Sequence, residues 1–265
     1  MLRFDVTADG VGRIVLDRSD AANALTVEMR DDLLAAVRSC RQNDDVRAVL
    51  ISAVGSSFCS GMDLRASTVT RAGTPGFDPR STSQALRVGV QAFITELWEL
   101  DKPTVAAVAG AAVGPGAHLA LACDFVLVGP KTKFVWSFPR LGLVADAGGA
   151  YLLPRLVGLP RAKAMLMLGE GARGQECVDL GLAYSCSETP EGVATDAEAL
   201  VQKLATGPTR SLGLTKRLLN RSFETDLPDS LELEGHFQAL ATASSDLVEG
   251  MTAFREQRSA DFTGH

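Results

Sequence analysis

Residues 102–124 read Lys-Pro-Thr-Val-Ala-Ala-Val-Ala-Gly-Ala-Ala-Val-Gly-Pro-Gly-Ala-His-Leu-Ala-Leu-Ala-Cys-Asp, with no charged side chain between Lys102 and Asp124 when His118 is neutral. The run is long enough to suggest a membrane span, which needs about 20 apolar residues. Gly110, Gly114, Pro115 and Gly116 would break such a helix in its middle, and His118 would stand unpaired in lipid. The stretch therefore reads as a buried strand, a glycine-rich loop and a buried helix, and no membrane partner is expected. An upstream segment repeats the order. A short apolar strand at 47–53 runs into Ser56-Ser57-Phe58-Cys59-Ser60-Gly61-Met62-Asp63-Leu64. Both units put small residues where a strand gives way to a helix. Free main-chain N–H groups at such points can hold an anion or a polarised carbonyl oxygen; two tight turns are the plainer alternative.

Elsewhere the chain alternates. Leu2–Thr7 and Gly12–Leu16 read as a hairpin with Asp9-Gly10 as its turn. A helix is expected from Thr26 as N-cap through Met29, Leu33, Leu34 and Val37. Residues 66–80 read as a mobile surface loop, and Ser81 with Gln84 as a capping box before a helix to about Leu100. Strands are expected at Val105–Val108 and Phe125–Val128. From about Tyr151 the pattern is almost wholly helical, near 161–168, 175–181, 196–206, 209–222, 229–244 and 246–258. The fold class is α/β with a helical appendage.

Composition narrows the function. The 265 residues carry 26 Lys and Arg against 32 Asp and Glu, a net charge of −6 without a basic run, which argues against nucleic acid. Five scattered cysteines without a CxxC pair fit a reduced cytosol, and three histidines do not suggest a metal site. The opening residues lack an apolar signal core. Neither GxxxxGK[ST] nor GxSxG occurs, and the glycine loop lacks the third glycine of a dinucleotide site, since position 119 is Leu119.

Ordered blocks along the chain resemble the crotonase (enoyl-CoA hydratase/isomerase) superfamily. They are Arg18–Leu25, Phe58–Leu64, Lys102–Val108, the glycine loop to Asp124, Leu141–Leu143, Leu153–Gly158 and Glu249–Phe254. The text of 134–158 is most similar to the isomerases of bacterial phenylacetate degradation, which act on ring-epoxide and enoyl-CoA thioesters. The resemblance implies a spiral of ββα units over residues 1–195, with the acyl-CoA site. It implies a helical oligomerisation region over 196–265 that builds a homotrimer or a dimer of trimers. Coenzyme A would enter as part of the substrate, with no redox cofactor, in a cytoplasmic enzyme.

The same resemblance assigns roles. Main-chain N–H groups at Ser60 and at position 115 would hold the thioester oxygen. Position 115 is Pro115, which has no N–H, so Gly114, Gly116 or a water would substitute, or one donor would serve alone. The two glutamates of a hydratase are replaced by His118 and Phe138. Asp146 falls where isomerases of the superfamily keep an acidic base. It also reads as an N-cap for the next helix, and the two roles are compatible. Trp136 and Phe138 would wall the acyl pocket, or simply pack in the core. Ala22, Ala24 and Leu25, with Gly61, Met62, Asp63 and Leu64, would line the coenzyme A site, although Asp63 also reads as a helix cap. Arg18, Arg65, Arg255 and Arg258 are candidate phosphate partners. Three functions follow: an isomerase with Asp146 as acid/base, a hydratase using His118 and Asp146, and a non-catalytic acyl-CoA binder.

Overall fold

The computed structural model describes residues 1–63 and 79–265. Strands β1 (Leu2–Val6) and β2 (Val11–Leu16) form the expected antiparallel hairpin. Helix α1 (Val27–Gln42) begins where Thr26 accepts the Met29 N–H, closing one of the orphan donors of the first turn. Then come β3 (Ala48–Ala53), β4 (Ser57–Cys59), α2 (Pro79–Val88) and α3 (Val90–Trp98). The charge-free run forms β5 (Thr104–Val108), β6 (Ala111–Val113) and α4 (Pro115–Leu121). Next are β7 (Phe125–Val128), β8 (Lys133–Val135), α5 (Gly149–Val157), α6 (Leu159–Lys163), β9 (Ala172–Arg173), α7 (Gln175–Asp179) and β10 (Ser185–Cys186). Helices α8 (Gly192–Ala205), α9 (Thr209–Arg221), α10 (Leu227–Thr242) and α11 (Ser245–Glu256) complete the described chain.

Among the described residues the strands make two sheets, ordered β1-β2-β3-β5-β7-β10 and β4-β6-β8-β9. Strands β3, β5 and β7 lie parallel in the first, and β4, β6 and β8 parallel in the second. From β3 to β8 the chain thus lays one strand in each sheet before it turns back through helices, which is the ββα spiral. The turn between β5 and β6 needs a residue without a side chain. A Cβ on Gly110 would stand 1.9 Å from the Ser56 carbonyl oxygen, and its φ is +79°. All seven residues of α4 are buried, which explains the absence of charge in its sequence.

Several expectations change. The glycine loop contains a third element, β6, too short to show alternation. The helix expected from Ser81 to Leu100 starts at Pro79 and is two helices, α2 and α3, separated at Gly89; the Ser81 side chain of the capping box is outside the described residues, as are positions 66–78 of the expected loop. The mostly helical last third holds β9 and β10, two-residue strands with no readable period. The boundary at 195 falls inside α8. That helix packs Val193, Ala197, Val201 and Ala205 against Val11, Leu50, Val105 and Leu127 of the larger sheet, so it belongs to the spiral. Among the described residues no helix is long and apolar enough to cross a membrane.

The later helices are tied back by polar contacts. Arg47 donates to the Gly207 carbonyl at 2.6 Å and to the Phe262 carbonyl at 2.8 Å. The buried Lys216 ammonium lies 2.9 Å from Asp124 Oδ2, at the end of β7's approach. Asp124 also accepts from the Thr104 N–H and hydroxyl.

Candidate active site

The loop before α1 is held by Asn23, a fully buried amide in the left-handed region at φ 54°. Its Oδ1 accepts the Arg18 N–H at 2.7 Å, and its Nδ2 donates to the Val54 and Ser57 carbonyls at 2.9 and 2.8 Å. Such a satisfied buried amide is rigid and costly to disturb. Sequence reasoning passed over it, although Asn in a loop between two elements is a residue that tolerates positive φ.

This loop docks on the segment after β4 and decides which N–H groups there remain free. The Ser60 N–H donates to the Ala22 carbonyl at 3.0 Å. The Leu25 N–H donates to the Gly61 carbonyl at 2.8 Å, and the Asp63 N–H to the Leu25 carbonyl at 2.9 Å. Leu25 and Met62 therefore form a parallel bridge in which Leu25 uses both its groups and Met62 neither. Ser60 is thus corrected as a donor, because its N–H is already engaged. The N–H without an acceptor among the described residues is that of Met62. The preceding residue lies against the end of β6: a Cβ on Gly61 would lie 3.0 Å from the Val113 carbonyl oxygen and 3.4 Å from Pro115 Cδ.

The second loop has no equivalent group at the same place. Gly114 donates its N–H to the Val135 carbonyl at 2.8 Å, which rules it out as the substitute for position 115. Pro115 occupies the first position of α4 and turns a methylene toward Gly61. Gly116 sits tightly against Cys59, where a Cβ would meet the Cys59 carbonyl at 2.4 Å.

Asp146 does not cap α5. The helix begins behind Gly148 with no side-chain cap, and Asp146 Oδ1 is buried without a hydrogen-bond partner. Burial pushes this carboxyl up to about 6, against the pull of its own main chain. Ala147 and Gly148 follow it in left-handed conformations, φ 48° and 78°. A non-glycine residue held there marks a strained turn.

Across from this turn stands His118, wholly buried. Trp136 donates its Nε1–H to His118 Nε2 at 3.0 Å, and the Phe138 ring stacks on the imidazole with centroids 5.7 Å apart. Burial pulls the imidazole down to about 4, opposed by the Asp146 main-chain carbonyl. His118 is therefore neutral near pH 7, and its Nε2 lone pair is occupied, so it cannot take a proton there from a ligand. Trp136 has no exposed surface and Phe138 almost none. Both buttress His118 rather than form an open pocket wall.

The coenzyme A candidates divide. Ala22 is half-buried, but Ala24 is buried and Leu25 has no exposed surface, so the Leu25 side chain packs in the core. Arg18 donates to the Ala24 carbonyl and ion-pairs with Asp63 at 2.8 Å, so Asp63 holds Arg18 instead of standing ready for a ligand. Arg258 pairs with Glu249 and Glu256 on the surface, while Arg255 is exposed. Leu64 and Arg65 lie outside the described residues. Leu141, Leu143 and Val144, in the approach to Asp146, expose apolar side chains.

A large groove lies away from these residues. About 810 Å³ opens between α9, α10 and α11, lined by Leu214, Leu218, Phe237, Leu247, Met251 and Phe254 and by none of the site residues.

Two sheets wound in a ββα spiral, with the short helix α4 set against Gly61 through Pro115 and against Gly149 through His118, are the architecture of a crotonase-type protein. A family model described as enoyl-CoA hydratase/isomerase matches residues 7–265, and the chain belongs to that family. It is 35% identical over 259 residues to the 1,2-epoxyphenylacetyl-CoA isomerase of Escherichia coli K12, covering 96% of this chain and 95% of the relative. It is 30% identical to the trans-2-decenoyl-[acyl-carrier-protein] isomerase of Streptococcus mutans, over 97% and 95% of the two chains. The crystal structure of an enoyl-CoA hydratase/isomerase from Cupriavidus metallidurans CH34 superimposes with a TM-score of 0.90 at 32% identity, covering 99% of this chain and 96% of that one.

Proposed function

We propose that this enzyme isomerises an enoyl-CoA or ring-epoxide CoA thioester with Asp146 as its single acid/base group. The observation that carries the reading is the Asp146 carboxyl, whose Oδ1 is buried without a partner and which burial pushes up to about 6. A general base works best with its pKa near the working pH. The Asp146 carboxylate takes a proton from carbon. The electron pair moves through C2 to the thioester oxygen as an enolate, and the resulting carboxylic acid returns the proton at another carbon. The Met62 N–H supports the thioester oxygen as its charge grows. Exposed Leu143 and Val144 suit an apolar acyl group.

Hydration would need a second group to deliver or accept a proton. The engaged His118 and the apolar Phe138 do not supply one, so crotonyl-CoA is expected to be hydrated slowly. The exposed apolar side chains of α9–α11, Leu219, Leu227 and Phe254 among them, support assembly into a trimer or a dimer of trimers.

Asp146→Asn is the test. Double-bond migration should fall by about 100-fold or more, the usual worth of a positioned proton-transfer group, while the Kd for an acyl-CoA ester changes little. In the wild-type enzyme kcat should decline below about pH 6, as Asp146 becomes protonated. Wild-type turnover in Asp146→Asn would overturn the assignment.

A further inference from the structure

His118 lies where the superfamily's hydratases carry a glutamate, yet its contacts aim away from proton transfer. Trp136 Nε1–H donates to Nε2, so Nε2 is the unprotonated nitrogen and the neutral ring carries its proton on Nδ1. Nδ1 makes no well-formed hydrogen bond, and the group it faces is the Asp146 main-chain carbonyl. Phe138 covers one face of the ring at an interplanar angle of 9°. Gly149 closes the remaining side: a Cβ there would stand 2.1 Å from Cε1, 2.3 Å from Nε2 and 2.9 Å from Nδ1. The Asp146 carbonyl also accepts the Gly149 N–H at 3.0 Å, so residues 146–149 form one closed turn pressed on the imidazole.

We propose that His118 is a positioning residue: locked by Trp136, it is the surface on which the Asp146–Gly149 turn is moulded, and it aims the Asp146 carboxyl without exchanging a proton itself. The inference rests on the reading of Asp146 as the base. It accounts for three features that a simple packing role leaves unrelated. Ala147 keeps a left-handed conformation although it is not glycine. Position 149 admits no side chain, although its own φ is not in the left-handed region. Trp136, a residue with no exposed surface, gives its one polar group to this ring.

The experiment is a double-mutant cycle between positions 118 and 149, with kcat and KM measured on an enoyl-CoA panel. Gly149→Ala alone should reduce kcat by about 100-fold, since a displacement of about 1 Å at a reacting group has that effect. His118→Ala alone should reduce kcat by about tenfold with KM changed less than about twofold, the pattern of lost transition-state alignment. In the His118→Ala background Gly149→Ala should cost less than about threefold, because the atoms it collides with are gone. Trp136→Phe, which keeps a ring and removes the N–H, should fall between wild type and His118→Ala. The acidic limb of kcat should also move down from about pH 6 in His118→Ala, as water reaches Asp146. No charged side chain among the described residues acts on Asp146, so that shift would report hydration alone.

Equal costs of Gly149→Ala in both backgrounds would overturn the proposal. So would a His118→Ala enzyme with wild-type kcat and an unmoved acidic limb. If His118→Ala were as dead as Asp146→Asn, His118 would be exchanging a proton and the positioning role would also fail. Asp146→Asn run alongside separates the two readings: turnover there removes the base assignment, whereas an additive cycle beside an inactive Asp146→Asn removes only the positioning role.

Discussion

The segment after β4 and the loop before α4 look alike in sequence. Each is a run of small residues at a strand end, and each is followed by an apolar stretch. Their hydrogen-bond accounts differ. In the first, Ser60, Leu25 and Asp63 consume their N–H groups in the docking of the 18–25 loop, and Met62 has no acceptor among the described residues. In the second, Gly114 is drawn into the smaller sheet by Val135, and the next residue is Pro115, which has no donor to leave over. The lesson is that a glycine-rich strand end becomes a binding site only through what its neighbours decline to bond. Small size permits the approach of a ligand, but the pairing pattern decides whether a donor meets it.

This contrast can be broken at either end. Met62→Pro deletes the surviving donor, and kcat should fall about 100- to 1,000-fold, as for loss of an oxyanion donor elsewhere. Met62→Ala keeps the N–H and serves as the control for the side chain, with kcat within about threefold of wild type. If both lose activity alike, the side chain and not the N–H is what matters.

The Asp146 carboxyl gives a second measurement. Asp146 has its folded-state value raised from 3.8 to about 6, so the folded protein holds a proton that the unfolded chain releases over that interval. Stability therefore falls as pH rises from about 4 to 6 and stays lower above it. Asp146→Asn removes that penalty, and at pH 8 the variant should be more stable by up to about 3 kcal/mol. The gain should shrink toward zero near pH 4, and chemical denaturation at the two pH values reads it. His118, lowered from 6.5 to about 4, works in the opposite direction over nearly the same interval. The wild-type profile should consequently look flatter than either single variant.

Pro115→Gly tests the other end. It offers the missing N–H to a site that now has one donor, and kcat should rise by about tenfold if the loop keeps its course. The variant should lose about 0.5–1 kcal/mol of stability, because glycine frees the unfolded chain. No gain in kcat, in a variant whose helix α4 is intact, would mean that Gly116 or a water already fills the second place. The smallest effect is expected from Ser60→Ala, which leaves the Ser60 N–H on Ala22; kcat should change by less than about twofold.

Much of the fold was legible. The hairpin, Thr26 as a helix cap and the strands at 48–53, 104–108 and 125–128 follow from alternation, capping chemistry and uninterrupted apolar runs. Strands β6, β9 and β10 were not, since two or three residues carry no period. The site was legible as a neighbourhood but not as a set of contacts. Asp146 stood out by residue type, and Pro115 by what proline lacks. The choice between Ser60 and Met62 depended on the register of the Leu25 bridge, which joins residues 37 apart in sequence and leaves no local trace. The Trp136–His118 bond, across 18 residues, was hidden for the same reason.

The tie between Lys216 and Asp124 is asymmetric in what each partner needs. Asp124 accepts two hydrogen bonds from Thr104 within the spiral, so its carboxylate has partners without α9. Lys216 is buried and finds its partners only on the finished spiral: Asp124 and the carbonyls of Leu97 and Lys102. A spiral without α9 leaves a solvated, hydrogen-bonded acid, whereas α9 buried without the spiral would leave a bare cation. Asp124→Asn, which strips the buried Lys216 of its counter-charge, should therefore destabilise the fold more than Lys216→Met, which leaves Asp124 on Thr104, as chemical denaturation would show.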